Sequence, residues 1–199
     1  GRASGVGVRG GRGGDGLGVG VGALLAGGAG SSCRIQADAC VIGVDELTLY
    51  RQFANLHPTH LVITNFFRDQ LDRAGEMETI IRKIQEVTAD FTGHIILNGD
   101  DPNSLRIADT AVNAQIHLFS VGRNNVSRDT TDEASEGKFC PRCGHPLTYE
   151  YYQYSHIGRF HCQKCDYGKV TPATLVKNVN LEDYSFIIDN EKFKISHNS

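Results

Sequence analysis

Four of the six cysteines fall as Cys140-Pro-Arg-Cys143 and, after 18 intervening residues, Cys162-Gln-Lys-Cys165. No other feature constrains the fold as much. Two C-x2-C pairs at this separation suit a tetrahedral zinc ion, each pair forming a tight knuckle that presents two thiolates. Four Cys ligands leave no open coordination position, so such a site is structural rather than catalytic. Gly144 and Gly168 follow the two knuckles, where a tight turn calls for positive φ. Between the knuckles, Leu147–Tyr154 and Gly158–His161 read as a small hairpin. Disulfides would need an oxidising compartment, and no export signal accompanies the cysteines. A redox C-x2-C would not be expected in duplicate. His145, His156 and His161 lie close to the ligand set and read as surface histidines. Cys33 and Cys40 lie outside it and read as ordinary small residues.

Residues 39–125 alternate between short apolar runs and helical periodicity, the pattern of an α/β fold with a parallel sheet. Ala39–Val44, His60–Thr64, His94–Leu97 and Gln115–Val121 read as strands. Asp45–Leu56 carries Leu49, Phe53 and Leu56 on one helical stripe. Glu76–Phe91 repeats Met77, Ile80, Ile81, Ile84, Val87 and Phe91 at helical spacing. Asp101-Pro102 opens a short helix through Asp109, with Asp at the cap and Pro in the first turn. Beyond the cysteines, Tyr184–Asp189 and Lys192–Ser196 read as a second hairpin around Asp189-Asn190-Glu191.

Polar residues gather where these strands end: Asp45 and Glu46, then Thr64, Asn65, Arg68, Asp69 and Asp72, then Asn98, Asp100 and Asp101. In open α/β sheets the ligand crevice lies outside the carboxyl ends of the strands. Carboxylates there suit Mg²⁺, which takes oxygen ligands and substrate phosphates. The competing reading is that Asp and Asn are ordinary loop and cap residues.

The first part of the chain differs in kind. Residues 1–32 use seven residue types, and fourteen of the chain's 23 glycines fall in the first 30 positions. Such a tract cannot bury enough apolar surface to offset its ordering entropy. Residues 1–34 are therefore expected to be a disordered tail or the product of a mistranslated frame. The formal GxGxxG over Gly5–Gly10 is nearly free in so Gly-rich a context, and the sequence contains no GxxxxGK[ST] phosphate loop. A net charge of −3 argues against a nucleic-acid partner, and the thiolates around a zinc ion would offset the basic residues near the knuckles. No apolar run is long enough to cross a membrane as a helix. With no initiating Met and an abrupt end at Ser199, the chain is expected to be a fragment.

The stretch Leu61-Val-Ile-Thr-Asn-Phe-Phe-Arg-Asp-Gln-Leu-Asp-Arg-Ala-Gly-Glu76 resembles the central-domain signature of the Mur ligases, the ATP-dependent enzymes that build the peptidoglycan precursor. The general pattern there is close to TN…DHLD; here it is Thr64-Asn65…Asp69-Gln70-Leu71-Asp72. Gln in place of His, with FFR before it and R-x-G-E after it, is similar to one subfamily, the synthetase subunit of lipid II isoglutaminyl synthase. Asn98-Gly-Asp-Asp-Pro102 resembles the family's N-x-D-D-P element near the nucleotide. That subfamily also carries a four-Cys ribbon in its central domain.

The resemblance covers roughly residues 36–196 and implies a partial Mur-ligase central domain over 35–199, with a zinc ribbon inserted at about 138–170. It implies ATP and Mg²⁺ in a crevice lined by Asp45, Thr64, Asn65, Asp69, Gln70 and Asp72, with Asn98, Asp100 and Asp101 as further candidates, Asp101 also reading as a helix cap. It also implies structural Zn²⁺ on Cys140, Cys143, Cys162 and Cys165. The implied reaction is amidation of the α-carboxylate of D-glutamate in lipid II, with ammonia from a glutaminase subunit in a heterodimer, in the bacterial cytoplasm. No catalytic base is identified. The family's phosphate loop is missing, its ligase domain does not follow, and Gly43 stands where the subfamily has a Glu before Val44-Asp45-Glu46. These departures imply a chain inactive alone. Two other readings remain open: another Mur-like amino-acid ligase, and a zinc-ribbon protein-interaction module on a degenerate α/β scaffold.

Overall fold

A computed structural model describes residues 8–12, 39–44, 46–67, 74–131 and 137–195. Asp45, Asp69, Gln70 and Asp72 lie outside the described residues. The chain divides into two compact units, residues 1–57 and 58–199.

In the first unit, β1 (Val8–Arg12) pairs in parallel with β2 (Ala39–Gly43), Val8 facing Ala39 and Arg12 facing Gly43. β1 lies inside the Gly-rich tract, where composition alone gives no reason to expect a strand. Helix α1 (Glu46–Leu56) follows, with Leu49 buried and Phe53 and Leu56 half-buried, the stripe that its periodicity specifies.

The second unit is built on a six-stranded sheet. Its parallel half holds β3 (His60–Ile63), β4 (His94–Asn98), β5 (Gln115–Val121) and β8 (Thr174–Asn180) side by side in that order. The order continues antiparallel through β9 (Ser185–Ile188) and β10 (Glu191–Lys194). Strand alternation puts Leu61, Ile63, Ile95 and Leu97 on one buried face. Helix α2 (Ala74–Thr88) buries Met77, Ile81, Ile84 and Thr88, a clean 3.6-residue stripe. It packs on α3 (Pro102–Ala108), which in turn packs on β4. The helix ends at Thr88, short of Phe91, where the Thr88 hydroxyl donates back to the Ile84 carbonyl at 2.7 Å.

Strand β8 was not among the sequence expectations. It pairs in parallel with β5, Phe119 to Thr174 through Val121 to Val176. Parallel neighbours need a long crossover connection, usually a helix. Here the crossover carries the cysteine hairpin instead: β6 (Leu147–Tyr154) against β7 (Ile157–Cys162), flanked by the two knuckles.

Candidate functional site

The hairpin brings all four expected cysteines together. Every pair of their sulfurs lies within 4.8 Å, with Cys140 to Cys165 at 3.6 Å and Cys143 to Cys162 at 3.5 Å. These separations are far from a disulfide bond of about 2.05 Å. They are close to the sulfur–sulfur edge of about 3.8 Å that follows from a zinc–sulfur length of about 2.3 Å in a tetrahedron. The first knuckle closes with the Gly144 amide donating to the Cys140 carbonyl and the Cys140 amide donating to the His145 carbonyl, each at 2.8 Å. The second closes with the Cys162 amide on the Tyr167 carbonyl at 2.8 Å. Gly144 and Gly168 both have positive φ, as the knuckle spacing requires.

The knuckle backbones also turn N–H groups onto sulfur. The amides of Cys143 and Arg142 donate to Cys140, and those of Cys165 and Lys164 donate to Cys162. Burial pushes the Cys140 thiol up to about 12. At Cys162 burial acts in the same upward sense, but the two amides and the neighbouring thiols outweigh it and bring the group down to about 7. Backbone donors aimed at sulfur favour thiolates, the form in which cysteine binds a metal. The donor set therefore fits a four-thiolate ion.

This module shares its core with the sheet unit. Cys140, Cys162, Phe160 and Tyr167 are buried together with Leu105 of α3. The Tyr167 hydroxyl donates to the Pro102 carbonyl, and Arg142 pairs with Asp109 at 2.5 Å. Arg128 and Tyr152 exchange backbone hydrogen bonds of 2.8 and 2.7 Å.

A second constellation lies where β3, β4 and β5 end. Asn98 donates from Nδ2 to the Thr64 carbonyl at 2.9 Å, while its Oδ1 accepts from the Asp100 amide at 2.9 Å. Thr64 is exposed and Asn65 half-buried. Asp101 is 0 % exposed and ties several segments together. Its Oδ2 accepts from the Phe66 amide at 2.8 Å and the Ser104 hydroxyl at 2.7 Å, and its Oδ1 from the Asn103 amide at 2.8 Å. It is thus the N-cap of α3, with Pro102 at the first position, as the Asp-Pro pair specifies. Asp100 is also buried, with Oδ2 accepting from the Val121 amide at 2.7 Å. Burial raises its carboxyl above the ordinary value, against the opposing pull of the Val121 amide, Ser120 and Arg159.

Thr64, Asn65, Asn98, Asp100 and Asp101 are therefore gathered at one end of the sheet. Thr64 is open to solvent there and Asn65 partly so, whereas the two aspartates turn inward to backbone and hydroxyl donors. His156 departs from its expected place at the surface: it is 1 % exposed, with Nε2 3.4 Å from Asp101 Oδ1. His145 is exposed, as expected. Sequence reasoning also passed over Phe67 and Tyr154. The Phe67 ring lies 6.0 Å from that of His156 and 6.1 Å from that of Tyr154, whose hydroxyl is 3.4 Å from Asn65 Nδ2.

The Mur ligase middle domain family matches residues 34–163, a span that holds this constellation and three of the four clustered cysteines. The chain belongs to the Mur ligase family. Among Mur ligase relatives, it is 34 % identical over 161 residues to subunit MurT of the lipid II isoglutaminyl synthase (glutamine-hydrolyzing) of Staphylococcus aureus strain COL, covering 77 % of this chain and 34 % of that one. It is 30 % identical over 172 residues to MurT of Streptococcus pneumoniae, covering 82 % of this chain and 37 % of that one. A UDP-N-acetylmuramate–L-alanine ligase of Bifidobacterium longum is 31 % identical over 78 residues, 39 % of this chain and 15 % of the relative. The chain thus spans about a third of the length of the MurT relatives it matches. No helix among the described residues is long and apolar enough to cross a membrane.

Proposed function

We propose that this chain supplies the middle domain of an ATP-dependent ligase subunit that amidates the D-glutamate α-carboxylate of lipid II to D-isoglutamine. The observation that carries this reading is the likeness to MurT over 77 % of the chain, together with the gathering of Thr64, Asn65 and Asn98 at the carboxyl end of the parallel sheet. In α/β folds that end is where ligands bind. Thr64 and Asn65 are the candidate nucleotide-side residues of the sheet end, with Asn98 holding the loop after β3 through the Thr64 carbonyl; Asp45, Asp69, Gln70 and Asp72 are candidates on the family resemblance alone. Asp100 and Asp101 are further candidates beside Asn98, their carboxylates turned inward to backbone and hydroxyl donors.

In this reaction the substrate carboxylate takes the γ-phosphoryl group of ATP and ADP leaves. Ammonia then attacks the acyl phosphate, inorganic phosphate departs with the C–O bonding pair, and a proton is lost from nitrogen. Carboxylates at this end of the sheet would hold Mg²⁺, which would supply positive charge to the phosphate oxygens during transfer. Ammonia comes from a glutaminase partner subunit, and the enzyme works in the bacterial cytoplasm on lipid II at the membrane surface. Cys140, Cys143, Cys162 and Cys165 hold a structural zinc ion. The sequence holds no GxxxxGK[ST] phosphate loop, so the 199-residue chain assayed by itself is expected to show no ATP-dependent amidation.

Gly43 and the missing phosphate loop favour a second reading, a zinc-ribbon interaction module that has lost nucleotide binding. One experiment separates the two. The full-length protein encoded around this segment is purified with its glutaminase and assayed for Mg-ATP binding and glutamine-dependent amidation of lipid II. Asn98→Ala is expected to raise the KM for ATP at least several-fold. Failure to bind Mg-ATP would move the interaction module ahead. One zinc per chain, lost in Cys162→Ser, is the expected metal content.

A further inference from the structure

The tip of the cysteine hairpin is the turn Tyr154-Ser155-His156-Ile157, tight enough to hold Ser155 at a φ of 44°. It points into the sheet unit. Its His156 faces Asp101 at 3.4 Å with both side chains shut off from solvent. Asp101 holds the Phe66 amide at 2.8 Å, and the loop around that amide carries Thr64 and Asn65. The same turn touches the loop twice more, through the stacking of His156 on Phe67 and the Tyr154 hydroxyl near Asn65. On its other side the turn is held by the cysteine core. The Tyr149 hydroxyl lies 3.1 Å from the His156 carbonyl, and its ring lies 5.7 Å from that of Phe160, which is buried among the cysteines.

A merely space-filling histidine would need none of these directed contacts to the β3 loop. An imidazole at the tip of an inserted hairpin, buried with its Nε2 3.4 Å from the carboxyl that caps α3, a close polar contact rather than hydrogen-bond geometry, is a strut. The three segments meeting at Asp101 are distant in sequence, so their mutual position is set here rather than by local propensity.

We propose that His156 is a positioning residue: it fixes Asp101, Asp101 fixes the Phe66 amide, and the metal-held ribbon thereby sets the loop that presents Thr64 and Asn65. The link itself is independent of the functional reading. Its consequence for ATP rests on that reading.

The test is hydrogen exchange on the zinc-loaded chain, comparing wild type, His156→Phe and His156→Gln. Phe keeps an aromatic ring against Phe67 but loses the nitrogen facing Asp101; Gln keeps a polar donor. His156→Phe is expected to speed exchange at Phe66 by about tenfold or more, with Ile95 and Leu97 in β4 unchanged and His156→Gln close to wild type. Zinc removal from the wild-type chain by a chelator is expected to expose the same amide. This second measurement decides the matter if His156→Phe fails to hold zinc. Unchanged exchange at Phe66 while β6 and β7 loosen would overturn the proposal. In the full-length ligase, His156→Phe is expected to raise the KM for ATP several-fold with kcat little changed. Faster exchange at Phe66 without that KM effect would uphold the strut and count against the nucleotide reading.

Discussion

The two knuckle glycines offer a paired test of how the cysteine module is held. Both have left-handed backbone, φ +71° at Gly144 and φ +83° at Gly168. Their surroundings differ completely. A Cβ on Gly144 would meet nothing within 4 Å. A Cβ on Gly168 would sit 2.5 Å from Phe160 Cε2, 2.7 Å from its Cδ2 and 2.8 Å from its carbonyl oxygen. Phe160 has little room to yield, since it is 1 % exposed and flanked by Tyr149 and Tyr167.

For Gly144→Ala only the backbone term applies, about 1–2 kcal/mol for an L-residue in that region. Restriction of the unfolded chain returns about 0.4–1 kcal/mol. The net expected cost is about 1 kcal/mol. Gly168→Ala adds overpacking against a fixed ring and a backbone oxygen, typically about 1–3 kcal/mol more. Its expected cost is about 2–4 kcal/mol. Urea unfolding of the zinc-loaded chain measures both. The chain has seven tyrosines and no tryptophan, and Tyr149, Tyr151, Tyr152, Tyr154 and Tyr167 belong to this module, so near-ultraviolet circular dichroism of tyrosine reports on it directly. Equal costs for the two variants, or a larger cost at Gly144, would refute the packing argument.

Two further outcomes follow from buried polar groups. Asp100 has its carboxyl raised by burial, so the folded state holds the proton more tightly than the unfolded chain does. The stability this contributes is present below the ordinary carboxyl value of 3.8 and is lost as pH rises through the raised folded value. Asp100→Asn keeps an oxygen for the Val121 amide and removes the titration. Its stability relative to wild type should therefore improve as pH rises above the ordinary carboxyl value of 3.8, and a pH-independent difference would contradict the assignment. Tyr167→Phe deletes the buried hydroxyl that donates to the Pro102 carbonyl. It should cost about 1 kcal/mol in urea unfolding with zinc content unchanged, and a zinc-depleted variant would show that the contact does more than join the module to α3.

The contrast between His156 and Asp101 shows where sequence reading reaches its limit. Asp101 caps α3 because Asp and Pro stand next to each other at a helix start, a relation that spans only a few residues. His156 follows a serine in a hairpin turn and resembles a surface residue in that local context. Its burial comes from Asp101 and Phe67, which are far away along the chain. β8 escaped notice for a related reason. Its alternation is broken at Asn178, which has a φ of 50° and lies where the pairing with β9 shifts register. Its place between β5 and β9 is set by those partners and by the length of the crossover.

The sequence by itself determined the periodic elements and the knuckles. β5 and β6 lie where their patterns put them, and the four cysteines meet as their spacing requires. Those outcomes depend on side chains a few residues apart, through the pleat, the helical turn and the tight knuckle. Only the tertiary structure decided that the cysteine hairpin forms the β5–β8 crossover and that its tip reaches the loop after β3. Such placements arise when distant segments bury a shared core and satisfy each other's polar groups, and no neighbouring pair of residues carries that information.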